Sequence, residues 1–415
     1  MRYGLIGEKL GHSFSKAIHE QLADYTFDLI PLNREELHSF MTEKQFSGLN
    51  VTIPYKETVI PYLDEIDEHA RKIGAVNTIV NRNGKLYGYN TDFYGFRYML
   101  EHNNIAIKDK KVLVLGKGGA AKAVLAVLEA LGASKILTVY YKEHPDTITY
   151  EDCYANHTDA EVIVNTTPVG MYPKVDDCPI DLSKFPHLTG VADIVYNPLR
   201  TQLIIEAEKR GIPAAGGLEM LVAQAKKAVE IFLDTKVDDS RIDEINAGLL
   251  KERTSLVLIG MSGGGKTTLG KIAAIKLGKT FVDVDEEIID KIGMPIADFF
   301  AKEGEAAFRA IETETLHALS SWNGLVISTG GGIIKNPANL DYLKRNGRTI
   351  WLRRDPDLLQ SGNGRPLVPN QMVALKLYEE RLPLYTAAAE AIAENNSSVE
   401  DGVAAILDAY EKTLH

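Results

Sequence analysis

A single glycine-rich segment constrains this chain more than any other feature of its 415 residues. Residues 260–267 read Gly-Met-Ser-Gly-Gly-Gly-Lys-Thr and match the pattern G-x-x-x-x-G-K-[ST] at every fixed position, between an apolar strand and a predicted helix. Glycines let backbone N–H groups surround phosphate oxygens without Cβ clashes, and the N-terminus of the following helix favours negative charge. The pattern therefore predicts a MgATP site, in which Lys266 contacts the β and γ phosphates and the Thr267 hydroxyl binds Mg²⁺. The nucleotide-binding residues are expected to be Gly263, Gly264, Gly265, Lys266, Thr267 and Thr268.

Charge and cysteine content limit the remaining classes of function. The formal net charge of −11 argues against binding to nucleic acid or to an anionic membrane surface. The two cysteines, Cys153 and Cys178, are isolated, which predicts neither disulfides nor a zinc site and fits a reducing cytosol. No window approaches 18 apolar residues, and the first residues lack the apolar run of a signal peptide. We expect a cytoplasmic protein that acts on small molecules.

The periodicity of the apolar residues divides the chain into three α/β units. In the first hundred residues short strands alternate with helices, which predicts a mostly parallel sheet. A second unit begins near Lys110 with a strand, a glycine-rich turn, a helix and a second strand, and this order is typical of a βαβ unit. The charged segment 234–253 is interpreted as a boundary or connecting helix. A third unit opens at Ser255 and alternates strand and helix to the end.

Polar residues follow several strands of the third unit. Asp283 and Asp285 are expected at alternate strand positions, hence on one face, where one carboxylate serves the metal and the other a substrate hydroxyl. A surface turn is the alternative. Arg309 lies four residues after Glu305, so a helix-surface ion pair is the alternative to a binding role. Glycines at 330–332 follow an apolar strand and permit a ligand to approach the backbone.

The ordered set of these motifs resembles shikimate kinase, from about Ser255 to the end of the chain. It comprises the phosphate loop, Asp-x-Asp, Phe-Arg-x-x-Glu, the triple glycine, the Arg-Pro-Leu lid at 365–367 and Arg-x-Pro-Leu-Tyr at 381–385. The resemblance implies a P-loop domain in which Asp285 orients or deprotonates the attacking hydroxyl and Arg365 stabilises the transferring phosphoryl group. One departure is that no arginine precedes the lid in the stretch where the family usually has an adenine contact. The residues implied to bind shikimate are Asp285, Arg309, Gly331, Gly332 and Arg381, with Lys266 catalytic and Thr267 and Asp283 as metal ligands.

The glycine turn of the second unit reads Gly116-x-Gly118-x-x-Ala121, a dinucleotide fingerprint between strand and helix. A tight turn that binds nothing is the alternative. After the next strand stands Lys142, a cation that favours the 2′-phosphate of NADP, although Glu143 beside it leaves NAD open. The cofactor-binding residues are expected to be Gly116, Gly118, Gly119, Ala120, Lys142 and Gly217.

Polar residues of the first unit have the types that a carbonyl-reducing site needs. A lysine can donate a proton to a carbonyl oxygen as hydride arrives, and a carboxylate can hold and tune that lysine. Lys56 and Asp92 are such a pair, although spacing alone favours an ordinary surface salt bridge. Ser13 and Ser15 have helix N-capping as their alternative.

The sequences of these segments resemble those of shikimate dehydrogenase over residues 1 to about 235. The matching segments include Ser13-Phe-Ser15, Asn-Val-Thr-Ile-Pro-Tyr-Lys at 50–56, Asn-Thr-Asp at 90–92 and Gly-Leu-Glu-Met-Leu-Val-Ala-Gln at 217–224. The resemblance implies that Lys56 and Asp92 are the catalytic pair, and that the active site lies in a cleft between two lobes. A departure is that Tyr141-Lys142-Glu143 stands where NADP-specific members usually carry Asn-Arg-Thr. The implied substrate-binding residues are Ser13, Ser15, Thr52, Asn77, Asp92 and Gln224.

These observations predict an α/β protein: a two-lobed dehydrogenase with a Rossmann-like NADP domain, followed by a P-loop kinase domain with a parallel sheet. The substrate-binding domain of the dehydrogenase is expected at 1–105 and 216–235, the dinucleotide-binding domain at 106–215, a linker at 236–253 and the kinase domain at 254–415. The resemblances imply consecutive reactions, in which NADPH reduces 3-dehydroshikimate and MgATP phosphorylates shikimate. We expect the chain to bind small molecules but neither nucleic acid nor a membrane. A homodimer stays open as an alternative to a monomer.

Three alternatives stay open from the sequence. The dehydrogenase can be a quinate/shikimate type that uses NAD. A measured preference for NAD or NADP distinguishes this type from an NADP-dependent shikimate dehydrogenase. The kinase can act on a different small polyol, in which case the binding arginines are dispensable. One half can be a catalytically inactive binding or regulatory module, an alternative that Lys56, Asp92, Lys266 and Asp285 argue against.

Overall fold

The computed structural model describes residues 2–10, 13–359 and 371–414. The chain divides into two compact units, residues 1–246 and 247–415. Among the described residues, no helix is long and apolar enough to cross a membrane.

The first part of the N-terminal unit is built on a six-stranded sheet with the order β2-β1-β3-β5-β6-β4. Strands β1, β2 and β3 are parallel, whereas β5 runs antiparallel to both β3 and β6. The elements are β1 Tyr3–Gly7, α1 Ser15–Leu22, β2 Phe27–Pro31, α2 Arg34–Glu43, β3 Gly48–Val51, β4 Glu65–Ile66, α3 Glu68–Ile73, β5 Thr78–Arg82, β6 Lys85–Tyr89 and α4 Asp92–His102.

The β5–β6 hairpin makes this sheet mixed, where the sequence predicted a mostly parallel one. Asn83 and Gly84 form its two-residue turn, and both have positive φ angles, 53° and 86°. An Asn-Gly pair between short strands is the strongest local signal for such a hairpin, so the sequence did contain the information.

The second part of the unit has a fully parallel five-stranded sheet with the order β11-β10-β9-β7-β8. The strand order reverses direction beside β7, and the carboxyl end of the sheet at this switch point is where open α/β sheets bind ligands. The elements are β7 Lys111–Leu115, α5 Gly119–Ala130, β8 Lys135–Val139, α6 Tyr150–Asn156, β9 Val162–Asn165, β10 Gly190–Asp193, α7 Gln202–Lys209, β11 Ala214–Gly216, α8 Gly217–Leu233 and α9 Ser240–Arg253.

Helix α8 returns to the first part of the unit. Its Ala228 and Phe232 pack with Tyr3, Phe27 and Val80 in one buried cluster. The segment predicted as a linker contains helix α9, whose Ile242, Ile245 and Leu249 are buried. The domain boundaries at 105, 215, 235 and 253, which the sequence suggested, stay predictions.

The C-terminal unit is a parallel five-stranded sheet with the order β13-β14-β12-β15-β16, and it has helices on both faces. Strand β12 is central and fully buried, which fits its apolar sequence Ser-Leu-Val-Leu-Ile. The elements are β12 Ser255–Ile259, α10 Lys266–Leu277, β13 Thr280–Asp283, α11 Val284–Ile292, α12 Ile296–Leu319, β14 Leu325–Ser328, α13 Pro337–Lys344, β15 Gly347–Arg353, α14 Gln371–Ala388, β16 Ala391–Glu394 and α15 Val399–Lys412.

Candidate active sites

Lys56 and Asp92 form a close, shielded ion pair in the N-terminal unit. The Lys56 Nζ donates to Asp92 Oδ2 at 2.6 Å, and the two side chains are only 17% and 11% exposed. Asp92 is the first residue of α4, and Lys56 lies in the loop after β3. The pair is therefore not the ordinary surface salt bridge that spacing alone favoured.

Asn77 fixes the other carboxylate oxygen of Asp92. Its Nδ2 donates to Asp92 Oδ1 at 2.8 Å, while its Oδ1 accepts from the backbone N–H of Thr91 at 2.7 Å. The Thr91 hydroxyl lies 3.2 Å from Gln224 Oε1 on α8. Four residues predicted for the site, Lys56, Asn77, Asp92 and Gln224, thus belong to one network. Thr91 joins Asn77 to Gln224 in this network, and the sequence motifs predicted no role for it.

Of the three remaining substrate-binding candidates, Thr52 directly follows β3, and Ser13 and Ser15 come after β1, at the start of α1. Ser15 is the first residue of α1, and its N–H donates to Ser13 Oγ at 3.2 Å. The Thr52 N–H donates to the Ile6 carbonyl at 3.0 Å. A Cβ on Gly7 would lie 2.6 Å from Thr52 Cγ2, so the glycine lets these two strand ends approach.

The dinucleotide turn combines a close backbone approach at Gly116 with open space at Gly118 and Gly119. Gly116 has φ of +99°, and a Cβ there would lie 2.7 Å from Thr167 Cγ2. At Gly118 and Gly119, by contrast, an added Cβ would meet nothing within 4 Å. This open space lies at the N-terminus of α5, where Ala120 occupies the first turn. The turn therefore fits a dinucleotide.

Asp193 joins the ends of β9 and β10 to Thr201, and the sequence motifs predicted no role for it. It is fully buried at the end of β10 and accepts from Asn165 Nδ2 at 3.0 Å and the Thr201 hydroxyl at 2.7 Å. Asn165 in turn accepts from the Thr167 hydroxyl at 2.7 Å. Burial raises the pKa of Asp193 to about 6 despite these hydrogen bonds.

Gly217 lies beside the same strand end, at the start of α8. Its N–H donates to the Val195 carbonyl at 3.0 Å, and a Cβ there would lie 2.2 Å from the Ile194 carbonyl oxygen. Close backbone packing is therefore sufficient to require glycine at this predicted cofactor-binding position.

The phosphate loop of the C-terminal unit has the geometry predicted from its sequence. Gly260, Gly263 and Gly265 have positive φ angles of 145°, 80° and 91°. The buried Lys266 Nζ donates to the carbonyls of Gly260 and Met261, both at 2.9 Å. Gly264 lies in the same loop, and Thr268 is in the first turn of α10.

Thr267 and Asp283 make a hydroxyl–carboxylate pair beside the loop. The Thr267 hydroxyl donates to Asp283 Oδ2 at 2.7 Å and lies 3.4 Å from Ser328 Oγ. Oxygen donors of this kind suit Mg²⁺, so the residues present fit that ion.

Asp285 is not on a strand, which corrects the expectation that it shares a strand face with Asp283. Strand β13 ends at Asp283, whose carboxylate caps helix α11 by accepting from the Asp285 N–H at 3.0 Å. Asp285 therefore sits in the first helical turn. Burial raises the pKa of Asp285, and neighbouring Asp283 raises it further.

Arg309 is held by two acidic residues of its own helix. It makes two bonds to Glu312, at 2.9 and 2.7 Å, and two to one carboxylate oxygen of Glu305, at 3.3 and 3.2 Å. Glu312 is only 1% exposed and was not predicted as a site residue, although its i,i+3 spacing was visible. A Cβ on Gly332 would lie 2.3 Å from Arg309 Nη2, which places this arginine against the triple glycine.

Arg381 approaches the same glycines from α14. Its Nη1 donates to the Gly331 carbonyl at 2.9 Å, and the Tyr385 hydroxyl donates to that carbonyl at 2.6 Å. A Cβ on Gly331 would lie 3.0 Å from the Ser262 N of the phosphate loop. The triple glycine thus lies between the loop and the two arginines.

Arg365 and the stretch preceding it fall outside the described residues. Of the two arginines farther back, Arg353 pairs with Glu394, its Nε lying 3.1 Å from Oε2. Arg354 donates to the Leu358 carbonyl at 3.0 Å.

The N-terminal unit has the fold and the site of a dinucleotide-dependent oxidoreductase. The C-terminal unit has those of a P-loop kinase. Residues 5–79 match the family model described as shikimate dehydrogenase substrate binding domain, and residues 262–411 match that described as shikimate kinase. The chain is 42% identical over 254 residues to the shikimate dehydrogenase (NADP(+)) of Clostridium beijerinckii, spanning 57% of this chain and 93% of that protein. The chain therefore belongs to the shikimate dehydrogenase family and also carries a shikimate kinase domain. Both resemblances inferred from the motifs are confirmed.

Solved structures agree with the assignment of the N-terminal unit. A chorismate mutase/shikimate 5-dehydrogenase fusion protein from Clostridium acetobutylicum is 39% identical, with a TM-score of 0.56, covering 60% of this chain and 96% of that one. The shikimate 5-dehydrogenase of Thermus thermophilus, solved in complex with NADP(H) and shikimate, is 29% identical, with a TM-score of 0.54, covering 59% and 98%.

Proposed function

We propose that the chain is a bifunctional enzyme that reduces 3-dehydroshikimate to shikimate with NADPH and then phosphorylates shikimate at its 3-hydroxyl with MgATP. The observation that carries the first reaction is the Lys56–Asp92–Asn77 network of the N-terminal unit. The second reaction is supported by Asp285, Arg309 and Arg381, which border the glycines beside the phosphate loop.

In the reduction, Lys56 is the proton donor to the substrate carbonyl oxygen. Asp92 accepts from both Lys56 and Asn77, so it holds the Lys56 side chain in a fixed position. Bound NADPH supplies the hydride. Ser13, Ser15, Thr52 and Gln224 bind the substrate's carboxylate and hydroxyls, because hydroxyl and amide groups meet both needs.

In the phosphorylation, Asp285 accepts the proton of the attacking hydroxyl. A raised pKa brings this carboxyl closer to the range in which a general base works well. Arg309 and Arg381 bind the substrate carboxylate with planar paired donors, and Glu312 holds Arg309 in place. Bound MgATP supplies the phosphoryl group, with Thr267 and Asp283 as the residues that would hold the ion.

The test is an assay of the purified full chain with 3-dehydroshikimate, NADPH and MgATP, with products identified by mass spectrometry. We expect shikimate 3-phosphate when both cofactors are present and shikimate alone when ATP is omitted. Accumulation of shikimate in the complete mixture would contradict the kinase assignment. Unreacted 3-dehydroshikimate with either NADPH or NADH would contradict the dehydrogenase assignment.

A parallel assay with quinate and NAD⁺ separates the proposed activity from that of a quinate/shikimate dehydrogenase. We expect oxidation of shikimate with NADP⁺ to exceed oxidation of quinate with NAD⁺.

A further inference from the structure

A histidine on helix α1 is fully buried in the N-terminal unit and has no place in the network described above. The ring of His19 stacks on Phe27, with the two ring centroids 3.9 Å apart. Its Nδ1 lies 2.8 Å from the hydroxyl of Tyr25. Burial lowers the pKa of His19 to about 3, so the imidazole is neutral at physiological pH. A neutral imidazole has one N–H donor and one acceptor nitrogen.

The second ring nitrogen of His19 faces Asn50 on strand β3. Within the described residues, neither His19 Nε2 nor Asn50 Oδ1 has a partner at ordinary hydrogen-bond geometry, and both atoms are buried. The two side chains nevertheless interact, since hydrogen bonding to Asn50 opposes the effect of burial on the pKa of His19. An amide oxygen only accepts, so the proton of the imidazole belongs on Nε2. Nδ1 is then the acceptor for the Tyr25 hydroxyl, and this bond selects the same tautomer.

From Asn50 the hydrogen bonds continue to the proposed catalytic network. Asn50 lies opposite Thr78 in the antiparallel β3–β5 pair, and its Nδ2 donates to the Thr78 hydroxyl at 3.1 Å and to the Asn77 carbonyl at 3.3 Å. The Thr78 hydroxyl lies 3.1 Å from both Asn77 Oδ1 and the Thr91 hydroxyl. The same Asn77 amide donates from Nδ2 to Asp92. Buried polar groups therefore connect helix α1 to Asp92 without interruption.

Each bond in this series has a fixed direction, because the groups at its two ends differ. If the Asn50 amide turned round, its oxygen would face Thr78, and the Thr78 hydroxyl would donate to it. That hydroxyl could then no longer donate to Asn77 Oδ1 or to Thr91. A donor at the position of His19 Nε2 prevents this, since it holds the Asn50 oxygen on the side away from Thr78.

We propose that His19 is a positioning residue for the reduction: its Nε2–H bonds the Asn50 oxygen and thereby fixes the series of hydrogen bonds that orients Asn77 towards Asp92. The proposal rests on the proposed reduction of 3-dehydroshikimate. Tyr25 supports His19 by accepting no other role than donor to Nδ1 in this series.

The test compares H19Q and H19N, which carry the same amide group on side chains of different length. The glutamine amide reaches the position of Nε2 and can donate to Asn50, whereas the shorter asparagine amide reaches only the position of Nδ1. We expect kcat for 3-dehydroshikimate within about threefold of the unaltered chain in H19Q and lower on the order of 10-fold in H19N. The KM for NADPH should stay within about twofold in both variants.

The matched control is I18V, because Ile18 is equally buried on the same helix and has no polar side-chain atom. It should lower the thermal stability measured by circular dichroism and leave kcat unchanged at a temperature where all variants are folded. Equal kcat values for H19Q and H19N would overturn the positioning role and make His19 a packing residue only.

A second measurement uses the unaltered full chain, so it does not depend on the folding of any variant. Long-range ¹H–¹⁵N spectra of chain with ¹⁵N-labelled histidine identify the tautomer of His19, whose signals are assigned by their loss in I18V-matched H19Q spectra. We expect the proton on Nε2, and a proton on Nδ1 would overturn the proposal. Failure of the unaltered chain to reduce 3-dehydroshikimate with either NADPH or NADH would instead remove the proposed function itself.

Discussion

Each of the two carboxylate oxygens of Asp92 accepts a hydrogen bond from a different side chain. A neutral side chain of the same size therefore cannot replace the carboxylate. Lys56 bonds one oxygen and Asn77 the other. In D92N the new amide nitrogen must face one of these donors, so one bond is lost together with the charge that orients Lys56. We expect dehydrogenase kcat to fall ~100-fold or more, with phosphorylation unchanged.

Steady-state kinetics of both reactions on one preparation measure this effect. D109N is the matched control, because Asp109 is exposed and has a φ of 62°, which asparagine tolerates. A D92N enzyme with an undiminished kcat would remove Asp92 from the mechanism.

Gly332 is expected to control the position of Arg309. In G332A the methyl group occupies space within 2.6 Å of three guanidinium atoms, so the arginine must move while the backbone stays in place. The KM for shikimate should rise on the order of 10-fold, since a charge-assisted bond to the carboxylate is lost. Thermal denaturation should change little, and a large loss of stability without a KM change would show that the glycine is only structural.

Asp193 gives the N-terminal unit a predictable dependence of stability on pH. Its folded pKa, about 6, exceeds the ordinary 3.8, so the folded state binds more protons between these values. The contribution of Asp193 to stability is therefore largest below about pH 4 and is lost as pH rises through 6. Relative to D193N, the unaltered chain should lose up to about 3 kcal/mol of unfolding free energy across this window.

Both tryptophans, Trp322 and Trp351, lie in residues 247–415, so their fluorescence reports unfolding of the C-terminal unit alone. Circular dichroism reports both units, and the remaining transition belongs to the N-terminal one. Stability profiles of D193N and the unaltered chain that stay parallel from about pH 4 to 7 would contradict the assignment.

At the level of elements, the α4–α8 pair positions two residues of the proposed dehydrogenase site. Asp92 begins α4, Gln224 lies on α8, and the two helices approach closely at Gly95. A Cβ on Gly95 would lie 2.5 Å from the Met220 carbonyl oxygen and 2.9 Å from Gln224 Cβ. The site therefore depends on a backbone contact that no local pattern indicates.

G95A is expected to push α4 and α8 apart. The substitution should cost roughly 1–3 kcal/mol of stability and lower kcat/KM for 3-dehydroshikimate, because Asp92 and Gln224 separate. G248A is the matched control: Gly248 is inside helix α9 and has open space around it, so alanine should stabilise by about 0.5–1 kcal/mol. Equal effects of the two changes in denaturant unfolding would show that helix propensity, not the contact, governs Gly95.

Most elements were predictable because apolar periodicity and turn residues are local signals. A strand was predicted directly before each glycine-rich turn, and β7 and β12 end there, at Leu115 and Ile259. The antiparallel β5–β6 hairpin was missed although its Asn-Gly turn was visible. Asp285 was misplaced because the capping of α11 by Asp283 competed with continuation of the strand.

For the whole molecule, the two activities should be separable, because each unit holds its own set of site residues. K56A should abolish reduction and leave phosphorylation, and K266A should do the reverse. An equimolar mixture of the two variants should then convert 3-dehydroshikimate to shikimate 3-phosphate, with shikimate passing through solution. Mass spectrometry over time measures the lag before shikimate 3-phosphate appears. Absence of this product from the mixture would show that both sites must act in one chain.

Short segments of the chain were sufficient to predict the phosphate loop, the dinucleotide turn, most strands and helices, and the identity of both families. A motif of this kind binds its ligand through its own backbone groups, so its residues are sufficient to predict the site. The tertiary structure alone decided which distant groups meet. It brought Asn77 and Gln224 to Asp92, and Arg381 to Gly331. These meetings depend on strand order and helix packing, which are set by burial of the whole core rather than by any local run of residues.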